Sequence, residues 1–457
     1  MTEMLWASMI PGVFKQIGFS IDEAANRSRK TETEKRLAYY HDDQLDYILA
    51  AIEAKFSNPD QLTPCFVNIV KKVVNNLAMV YGRDAIRSVE NLNDAKAAEK
   101  DQSIFQEISQ SSALPIKLKQ ASRYVKILKT VLLRPVWRRG MMDLDVLTGD
   151  VLDVATGDTP EDLKVVSITH FPESGKAEEI EFSVWDQSKV RRLNYQGYEI
   201  KAEANPYGVL PFVPVFDFCP TNSFWLPGGD DLIMVQDAIN EKLTDLLYVC
   251  RMQGFGVGWI KKGQSAGGSI TIDPGTMIEL PADGEIGYEA QKAPIKDIIA
   301  AIDFLILQAA LTNGLSASSL STKVTRESGV AKTAGNRELE ELRRDDIALF
   351  TKYERQLFDL FRVIWNRHNP GNKIHPESRL RVDFHDPKPA TSPREEAETW
   401  EILIDLKVAS PVDAIMERNP DLKTREDALK FLETVAAENK RLAPAAAASP
   451  TVPTVKE

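Results

Sequence analysis

Apolar residues at helical spacing predict helices along most of the first part of the chain. TETEKRLAYYHDDQLDYILAAIEAKF and PCFVNIVKKVVNNLAMVYG carry them every three or four positions between Ser20 and Gly82, and Gly82 is a suitable stop. A polar helical stretch covers 91–110, and the amphipathic segment KLKQASRYVKILKTVLL predicts a helix that ends before Pro135. The N-terminal region is therefore expected to be helical.

Alternation of apolar and polar residues replaces this spacing from about Arg134 to Phe218. MMDLDVLTGDVLDVATGD has turn signals between alternating runs, and VVSITHF, EIEFSVWD and YEIKAEAN continue a pattern that is typical of short antiparallel strands. Short strands with Gly and Pro turns also fill 255–293, and RLRVDF predicts one more strand. The pattern indicates an α+β fold that is mainly α.

Three long helices are predicted in the second half. The segment 229–254 has Asp230 as N-cap and Gly254 as stop, and 294–313 has Pro294 near its first turn and Gly314 after its end. The longest helix lies within AGNRELEELRRDDIALFTKYERQLFDLFRVIWNRHNPG. Helices of this length are common where they pack side by side between subunits. Its single apolar stripe consists of Leu339, Leu342, Leu349, Tyr353, Leu357, Leu360 and Ile364.

Three shorter helices are predicted after the RLRVDF strand. The first is capped near Ser392, and the second is capped by Ser410 with Pro411 at its start. The terminal stretch APAAAASPTVPTVKE is a low-complexity Ala and Pro segment, which is expected to be disordered.

A polar, slightly basic segment, NGLSASSLSTKVTRESGVAKTAG at 313–335, separates two of the long helices and has almost nothing to bury. It fits a phosphate-binding loop, a flexible linker or a loop that faces a channel carrying a polyanion. A P-loop requires a glycine directly before the lysine, but Ala331 precedes Lys332, and a helix rather than a strand comes before the segment. Nucleotide binding is therefore disfavoured.

Composition limits the classes of function. The 457 residues are 43% apolar and 27% charged, with a formal net charge of -11, which argues against a broad nucleic-acid-gripping surface but not against a wall that DNA slides past. Cys65, Cys219 and Cys250 are far apart, as expected of free thiols in a reducing cytoplasm. The N-terminus lacks signal-peptide features, and the longest apolar run is too short to cross a bilayer.

The sequence gives no positive case for catalysis, for a metal or for a cofactor. His368, His375 and His385 are not spaced as ligands, and the RRDD run at 343–346 is typical of a solvated helix face or of pairs between subunits. Clustered aspartates can bind Ca²⁺, but their near-repeat of LDV and TGD favours a strand, a turn and a second strand. These aspartates are Asp143, Asp145, Asp150 and Asp153.

The order of these elements resembles the portal, or head–tail connector, proteins of tailed bacteriophages. NPYGVLPFVPVFDF at 205–218 is similar to the strand that follows the β-region in that family, and GGDDLIMVQDAINEKLTDL to its next helix. ESGVAKTAG is similar to the start of its long helix, and VDFHDPKPATSPREEAETWEILIDLKVASPVDAIMERNPDL to its tail section. The resemblance covers about Pro206 to Asn439 in order, whereas the first hundred residues match only in being helical.

The resemblance implies a portal fold whose subunits form a ring of twelve at one capsid vertex. Double-stranded DNA would be packaged and ejected through the central channel, without sequence specificity. The implied regions are a wing at 1–228, a first stem helix at 229–254, a clip at 255–293, a second stem helix at 294–312, a tunnel loop at 313–333, the long helix with a return to the wing at 334–390, crown helices at 391–440 and a disordered tail at 441–457.

The resemblance also implies sites and partners. Partners would be the large terminase, the major capsid or scaffolding protein and a head-completion or adaptor protein, in a virion assembled in the host cytoplasm, with no membrane, cofactor or enzymatic activity. Clip residues expected to dock partners are Trp259, Lys261 and Lys262. Residues expected to face DNA are Ser318, Ser319, Ser321, Thr322, Lys323, Thr325, Arg326 and Lys332.

A channel loop has a physical rationale. Lys323, Arg326 and Lys332 can contact phosphates without reading bases, and only a few basic residues per subunit keep the contact weak. Glycines at 314, 329 and 335 allow the loop to change shape. Two alternatives stay open: an α+β structural oligomer that does not bind DNA, and a nucleotide-driven enzyme that translocates nucleic acid.

Overall fold

The computed structural model describes residues 14–15, 22–55, 62–254, 257–261, 285–289, 294–320, 337–384, 393–419, 422 and 424–442. The chain divides into two compact units. The first contains Met1–Glu327 and Ala331–Asp386, and the second contains Ser328–Val330 and Pro387–Glu457.

Helices open the first unit, as the sequence predicts: α1 (Glu23–Tyr40), α2 (Leu45–Lys55) and α3 (Ile69–Leu77). The carboxylate of Asp22 caps α1 by accepting from the Ala25 N–H, and Asn68 caps α3 in the same way through Lys71. Helix α3 ends at Leu77, so the expected stop at Gly82 is wrong by five positions. Strand β1 (Ile86–Glu90) follows, and the sequence pattern does not predict it because its only partner in the described chain lies at 379–383.

Two further helices, α4 (Ala95–Ser111) and α5 (Leu114–Leu128), precede the β-region. The predicted continuation of α5 toward Pro135 is wrong, because Lys129 has a φ of 66° and ends the helix. The next residues form strand β2 (Thr130–Arg138), whose apolar run fits a buried strand as well as a helix. Pro135 is tolerated there because β2 has a second neighbouring strand only at 130–133.

The β-region consists of two antiparallel sheets. A three-stranded sheet has the order β3-β2-β9, with β3 at Met141–Leu147 and β9 at Val213–Phe216. A five-stranded meander contains β4 (Leu152–Thr156), β5 (Leu163–His170), β6 (Glu181–Asp186), β7 (Lys189–Leu193) and β8 (Glu199–Ala204), with a 3₁₀ turn at Ala177–Glu179. The turn between β3 and β4 confirms the strand–turn–strand interpretation of the aspartate-rich segment.

The second half of this unit contains the three predicted long helices. They are α6 (Asp230–Gly254), α7 (Ile295–Thr312) and α9 (Arg337–His368). Strands β10 (Val257–Lys261) and β11 (Glu285–Glu289) lie between α6 and α7 in the chain, a short helix α8 (Ala317–Leu320) follows α7, and β12 (Arg379–Asp383) follows α9 and pairs with β1. No helix in the described ranges is long and apolar enough to cross a bilayer.

One continuous core joins the N-terminal helices, both sheets of the β-region and the long helices. The second half of α9 runs through it: Tyr353, Leu357 and Ile364 are each at most 1% exposed. This part of the predicted stripe is therefore an internal face of the chain and is not available to another subunit. Leu342, near the start of α9, is 41% exposed and remains accessible.

The described residues of the second unit form three helices, α10 (Pro393–Asp405), α11 (Pro411–Arg418) and α12 (Arg425–Leu442). Ser410 caps α11 as predicted, in a reciprocal capping box with Asp413. Helix α10 begins at Pro393, directly after the predicted cap Ser392, which lies outside the described residues.

Candidate functional site

The candidate site is the pair of helices α6 and α7, which pack against each other, together with the segment that follows α7. Helix α7 ends as predicted: Asn313 caps it and donates from its side chain to the Ala309 carbonyl at 2.8 Å, and Gly314 has a φ of 67°. This left-handed conformation favours glycine and reverses the chain. The reversal directs the chain from α7 into the predicted tunnel loop.

The first part of the predicted tunnel loop is anchored. Leu315 and Leu320 are 3% and 4% exposed in the core, and α8 lies against α7 and α3. The expectation that this segment has almost nothing to bury is therefore wrong at its start. The two leucines were missed because two apolar residues five positions apart give no periodic signal.

Of the eight predicted DNA-facing residues, two lie in the described part of this segment and six lie outside it. Ser318 and Ser319 lie on α8, and the Ser319 hydroxyl is 2.7 Å from that of Ser316. The other six residues lie outside the described residues: Ser321, Thr322, Lys323, Thr325, Arg326 and Lys332. Their role stays a prediction.

The predicted clip lies between α6 and α7 in the chain, and its described part is an antiparallel strand pair. Trp259 and Lys261 are on β10, opposite Gly287 and Glu285 of β11. Lys262 lies outside the described residues. The docking role of these three residues also stays a prediction.

A ladder of buried polar side chains fixes α6 against the N-terminal helices. Gln236, Asn240 and Thr244, spaced four apart, are at most 2% exposed. Gln236 accepts from the Ile69 N–H at 2.8 Å, and its amide donates to Asn240 at 2.7 Å. The Asn240 amide donates to Gln44 at 2.9 Å.

Each bond in this ladder forms only in one axial register, so it holds α6 in a fixed position along the first unit. Sequence reasoning missed the ladder, although Gln, Asn and Thr at positions i, i+4 and i+8 of an otherwise amphipathic helix are a signal that could have found it.

Helix α7 presents apolar side chains that nothing in the described part of the chain covers. Phe304 and Leu311, seven residues apart on one face, are 59% and 52% exposed, and Ile299 is 45% exposed. Exposed apolar groups on one helix, beside a helix held in register, are typical of a surface that another protein covers.

The first half of α9 is tied to the β-region by a buried charged cluster. The Lys126 ammonium donates to Asp217 and to Asp346, both at 2.8 Å, and Lys129 also pairs with Asp217 at 2.8 Å. Asp346 and Arg343 are 4% and 8% exposed. The expectation that the RRDD run is solvated or pairs between subunits is therefore wrong for these two residues.

Burial disfavours the ionised form of Asp346 and raises the pKa of its carboxyl to about 6, although Lys126 opposes the shift. The native state then binds more protons than the unfolded state between the ordinary pKa of 3.8 and about 6. The stabilisation from this proton is therefore complete below 3.8 and is lost as the pH rises through about 6.

Replacing Asp346 with Asn should remove that pH dependence. Between pH 5 and 7, the free energy of unfolding of the wild type should fall by about 1 kcal/mol relative to the variant, as measured by urea unfolding at each pH. The neighbouring Asp345 is exposed, so Asp345→Asn serves as the matched control and should follow the wild type. A constant difference between wild type and Asp346→Asn across this range would contradict the assignment.

The histidines and aspartates weighed as ligands do not come together. His368 stacks on Trp137 at 4.8 Å between ring centroids, His375 contacts the Asn91 amide, and His385 lies outside the described residues. Asp143 and Asp145 both pair with Arg138. In the described ranges, no group of three His, Cys, Asp or Glu side chains is placed to hold a metal ion.

Asp153, the last of the four aspartates, is a structural residue. It lies on β4 with a fully buried carboxylate, which accepts from Lys30 at 2.6 Å and from the Asn26 amide at 2.8 Å. Arg29 lies 3.4 Å away and stacks over the Trp225 ring at 4.0 Å. This cluster fixes α1 on the five-stranded sheet.

No protein-family model matches the chain, and no curated protein does. Several solved structures are similar to it. One, the virion of a native gene transfer agent particle, contains a chain with 10% identity and a TM-score of 0.44, over 75% of this chain and 86% of that one.

Two others are necks of gene transfer agent particles. The neck of the empty particle, computed with C6 symmetry, gives 12% identity and a TM-score of 0.46 over 78% of this chain and 91% of that one. The neck of the native particle, computed with C12 symmetry, gives 11% identity and a TM-score of 0.43 over 76% and 88%. Because all three TM-scores are below 0.5, the proposed function rests on the sequence resemblance and on the geometry of this chain.

Proposed function

We propose that this chain is a portal protein, the subunit of a ring at one capsid vertex through which double-stranded DNA is packaged and ejected. The observation that carries the proposal is the succession of a helix held in register, a strand pair, a second helix with an exposed apolar face, an anchored turn and a 32-residue helix. This succession follows the order of stem, clip, stem, tunnel loop and long helix in the portal family.

The exposed face of α7 supports ring closure. Helices that pack side by side around an axis form a heterologous interface, in which one face of each subunit meets a different face of the next. Fully burying a side chain such as Phe304 or Leu311 contributes about 1.5–3 kcal/mol. Since the second half of α9 is internal, the stem helices and the start of α9 supply the proposed subunit contacts. A ring of twelve is the number that the resemblance implies.

The tunnel loop is proposed to run between two anchored ends. Leu320 fixes one end in the core, and the other end is the start of α9, where Leu339 is 9% exposed. The segment between them carries the basic residues Lys323, Arg326 and Lys332. A loop held at both ends by buried leucines keeps these charges close to the channel, where they are proposed to contact phosphates without reading bases.

The other regions are assigned by the same proposal. The strand pair β10–β11 belongs to the clip that meets the large terminase and later the adaptor protein, and the second unit belongs to the crown. A major capsid or scaffolding protein contacts the wing, and the assembled ring resides in the virion. The chain has no enzymatic activity or cofactor of its own in this proposal, so ATP turnover by the purified chain would favour the translocating enzyme instead.

Changing Lys323, Arg326 and Lys332 together to Ala should leave assembly intact and lower the amount of DNA packaged or retained per particle several-fold. Each contact with a phosphate that is lost weakens the affinity of the loop for DNA, which depends on salt concentration. The measurement is DNA content per purified particle, with ring formation checked by electron microscopy on the same sample.

In a matched control, three exposed basic residues far from the loop in sequence are changed to Ala: Lys164, Lys176 and Lys201. This control should package as the wild type does. Normal packaging by the loop variant, or loss of assembly with normal DNA content in the remaining particles, would contradict the role given to the loop.

A further inference from the structure

A groove of about 640 Å³ lies between the second half of α9 and strand β12. Four arginines converge on it: Arg355 and Arg362 from α9, and Arg379 and Arg381 from β12. Two carboxylates, Glu90 and Asp359, also line the groove. The groove is thus locally positive in a chain whose net charge is -11.

Two of the arginines are held in place by the chain. Arg362 donates to the Ser378 carbonyl at 2.8 Å and pairs with Asp359 at 2.8 Å. Arg381 pairs with Glu90 and with Asp383, each at 3.3 Å. These contacts orient both guanidinium groups and neutralise much of their charge.

The other two arginines are not neutralised in this way. Arg355 and Arg379 are exposed, and neither forms an ion pair with a carboxylate in the described part of the chain. A guanidinium group presents a planar fork of N–H donors that matches the two oxygens of a carboxylate. Two such forks, on a helix and on a strand that line one groove, can pair with two anionic groups of one ligand.

We propose that this groove binds an acidic segment of a partner protein. A peptide carries its carboxylates on separate side chains, so it can reach Arg355 and Arg379 while Asp359 and Glu90 stay paired with Arg362 and Arg381. A DNA backbone is a continuous line of charge that meets these two carboxylates as well, and its affinity depends on many basic contacts, of which this groove leaves only two. The observations therefore favour a peptide over DNA.

The proposal is independent of the channel. The groove lies on the β12 side of α9 and includes no residue of the stem helices or of the tunnel loop. A failed binding test would leave the proposed ring intact, and a chain that forms no ring would still have the groove.

The test uses the full chain and a fluorescent peptide that repeats Glu, Leu and Ala, with fluorescence anisotropy at low salt as the readout. The Arg355→Gln, Arg379→Gln double variant should bind the peptide about tenfold more weakly than the wild type. Arg355→Lys with Arg379→Lys should give an intermediate affinity, because the charge is kept and the fork is lost. Arg344→Gln with Arg367→Gln, two exposed arginines of α9 outside the groove, should bind as the wild type does.

Two further probes identify the ligand class. The same peptide with Gln in place of Glu should bind at least about tenfold more weakly than the acidic peptide, and a short DNA duplex should not displace the acidic peptide. Equal binding of the Gln peptide, displacement by the duplex, absence of any binding of the acidic peptide, or equal losses in the groove and control variants would each overturn the proposal.

Discussion

Replacing Phe304 and Leu311 with Asp should abolish ring assembly and leave the folded subunit unchanged. Both side chains are more than half exposed on α7, so the subunit loses little when they become polar, and its midpoint of thermal unfolding should stay close to that of the unassembled wild type. In the proposed ring each interface would bury these positions, and a buried unpaired carboxylate costs several kcal/mol at every interface. Analytical ultracentrifugation of wild type and variant measures the loss.

Met141 offers the matched control for this prediction. It is 57% exposed on β3, in the β-region rather than on the stem, so Met141→Asp introduces one carboxylate at a similar exposure. This variant should assemble as the wild type does. Assembly of the Phe304→Asp, Leu311→Asp variant, or equal loss in both variants, would show that α7 does not form the subunit contact.

Replacing Asp153 with Ala should destabilise the first unit by about 3–5 kcal/mol, because it removes the carboxylate that compensates the buried Lys30 ammonium. Burial already lowers the pKa of Lys30 to about 8 in the native state, although Asp153 opposes the shift. In the variant Lys30 can give up its proton, and the hydrogen bonds that Asn26 and Arg29 donate to Asp153 are lost as well. Urea unfolding at pH 7 measures the difference.

Two variants make this second prediction specific. The ion pair of Asp143 with Arg138 is the exposed counterpart of the buried pair of Lys30 with Asp153. Asp143→Ala should therefore lower the free energy of unfolding by less than about 1 kcal/mol. Lys30→Met combined with Asp153→Leu removes both charges and should recover most of the stability lost in Asp153→Ala. A loss below about 1 kcal/mol in Asp153→Ala would contradict the view that this pair fixes α1 on the sheet.

Helices with both a periodic pattern and end signals were predictable from the sequence. Helices α6 and α7 begin and end within a few residues of the capping and stop residues that predicted them, and α11 begins directly after its predicted cap. The start of β2 was not predictable in this way, because the apolar run TVLL fits a helix and a buried strand equally well. Only its pairing with β9 decides between the two structures. Strand β1 depends on a partner almost 300 residues away, so local pattern carries no information about it.

The site divides along the same line. The positions of the loop, the strand pair and the two stem helices follow from the Gly and Pro residues at their ends, which are a local sequence signal. The buried ladder of Gln236 and Asn240, the burial of Leu315 and the Lys126–Asp346 pair depend on which elements meet in space. The long apolar stripe of α9 shows the limit most clearly, since its spacing indicates a buried face but does not say whether the chain itself or a neighbour buries it.

Electron micrographs of the purified chain test the central claim most directly, because the symmetry and the central hole of a particle are visible without knowledge of any partner. The proposed function predicts annular particles with a central channel and rotational symmetry, with twelve subunits as the expected number. A chain that stays monomeric under all assembly conditions, or that forms compact particles without a central hole, would contradict it.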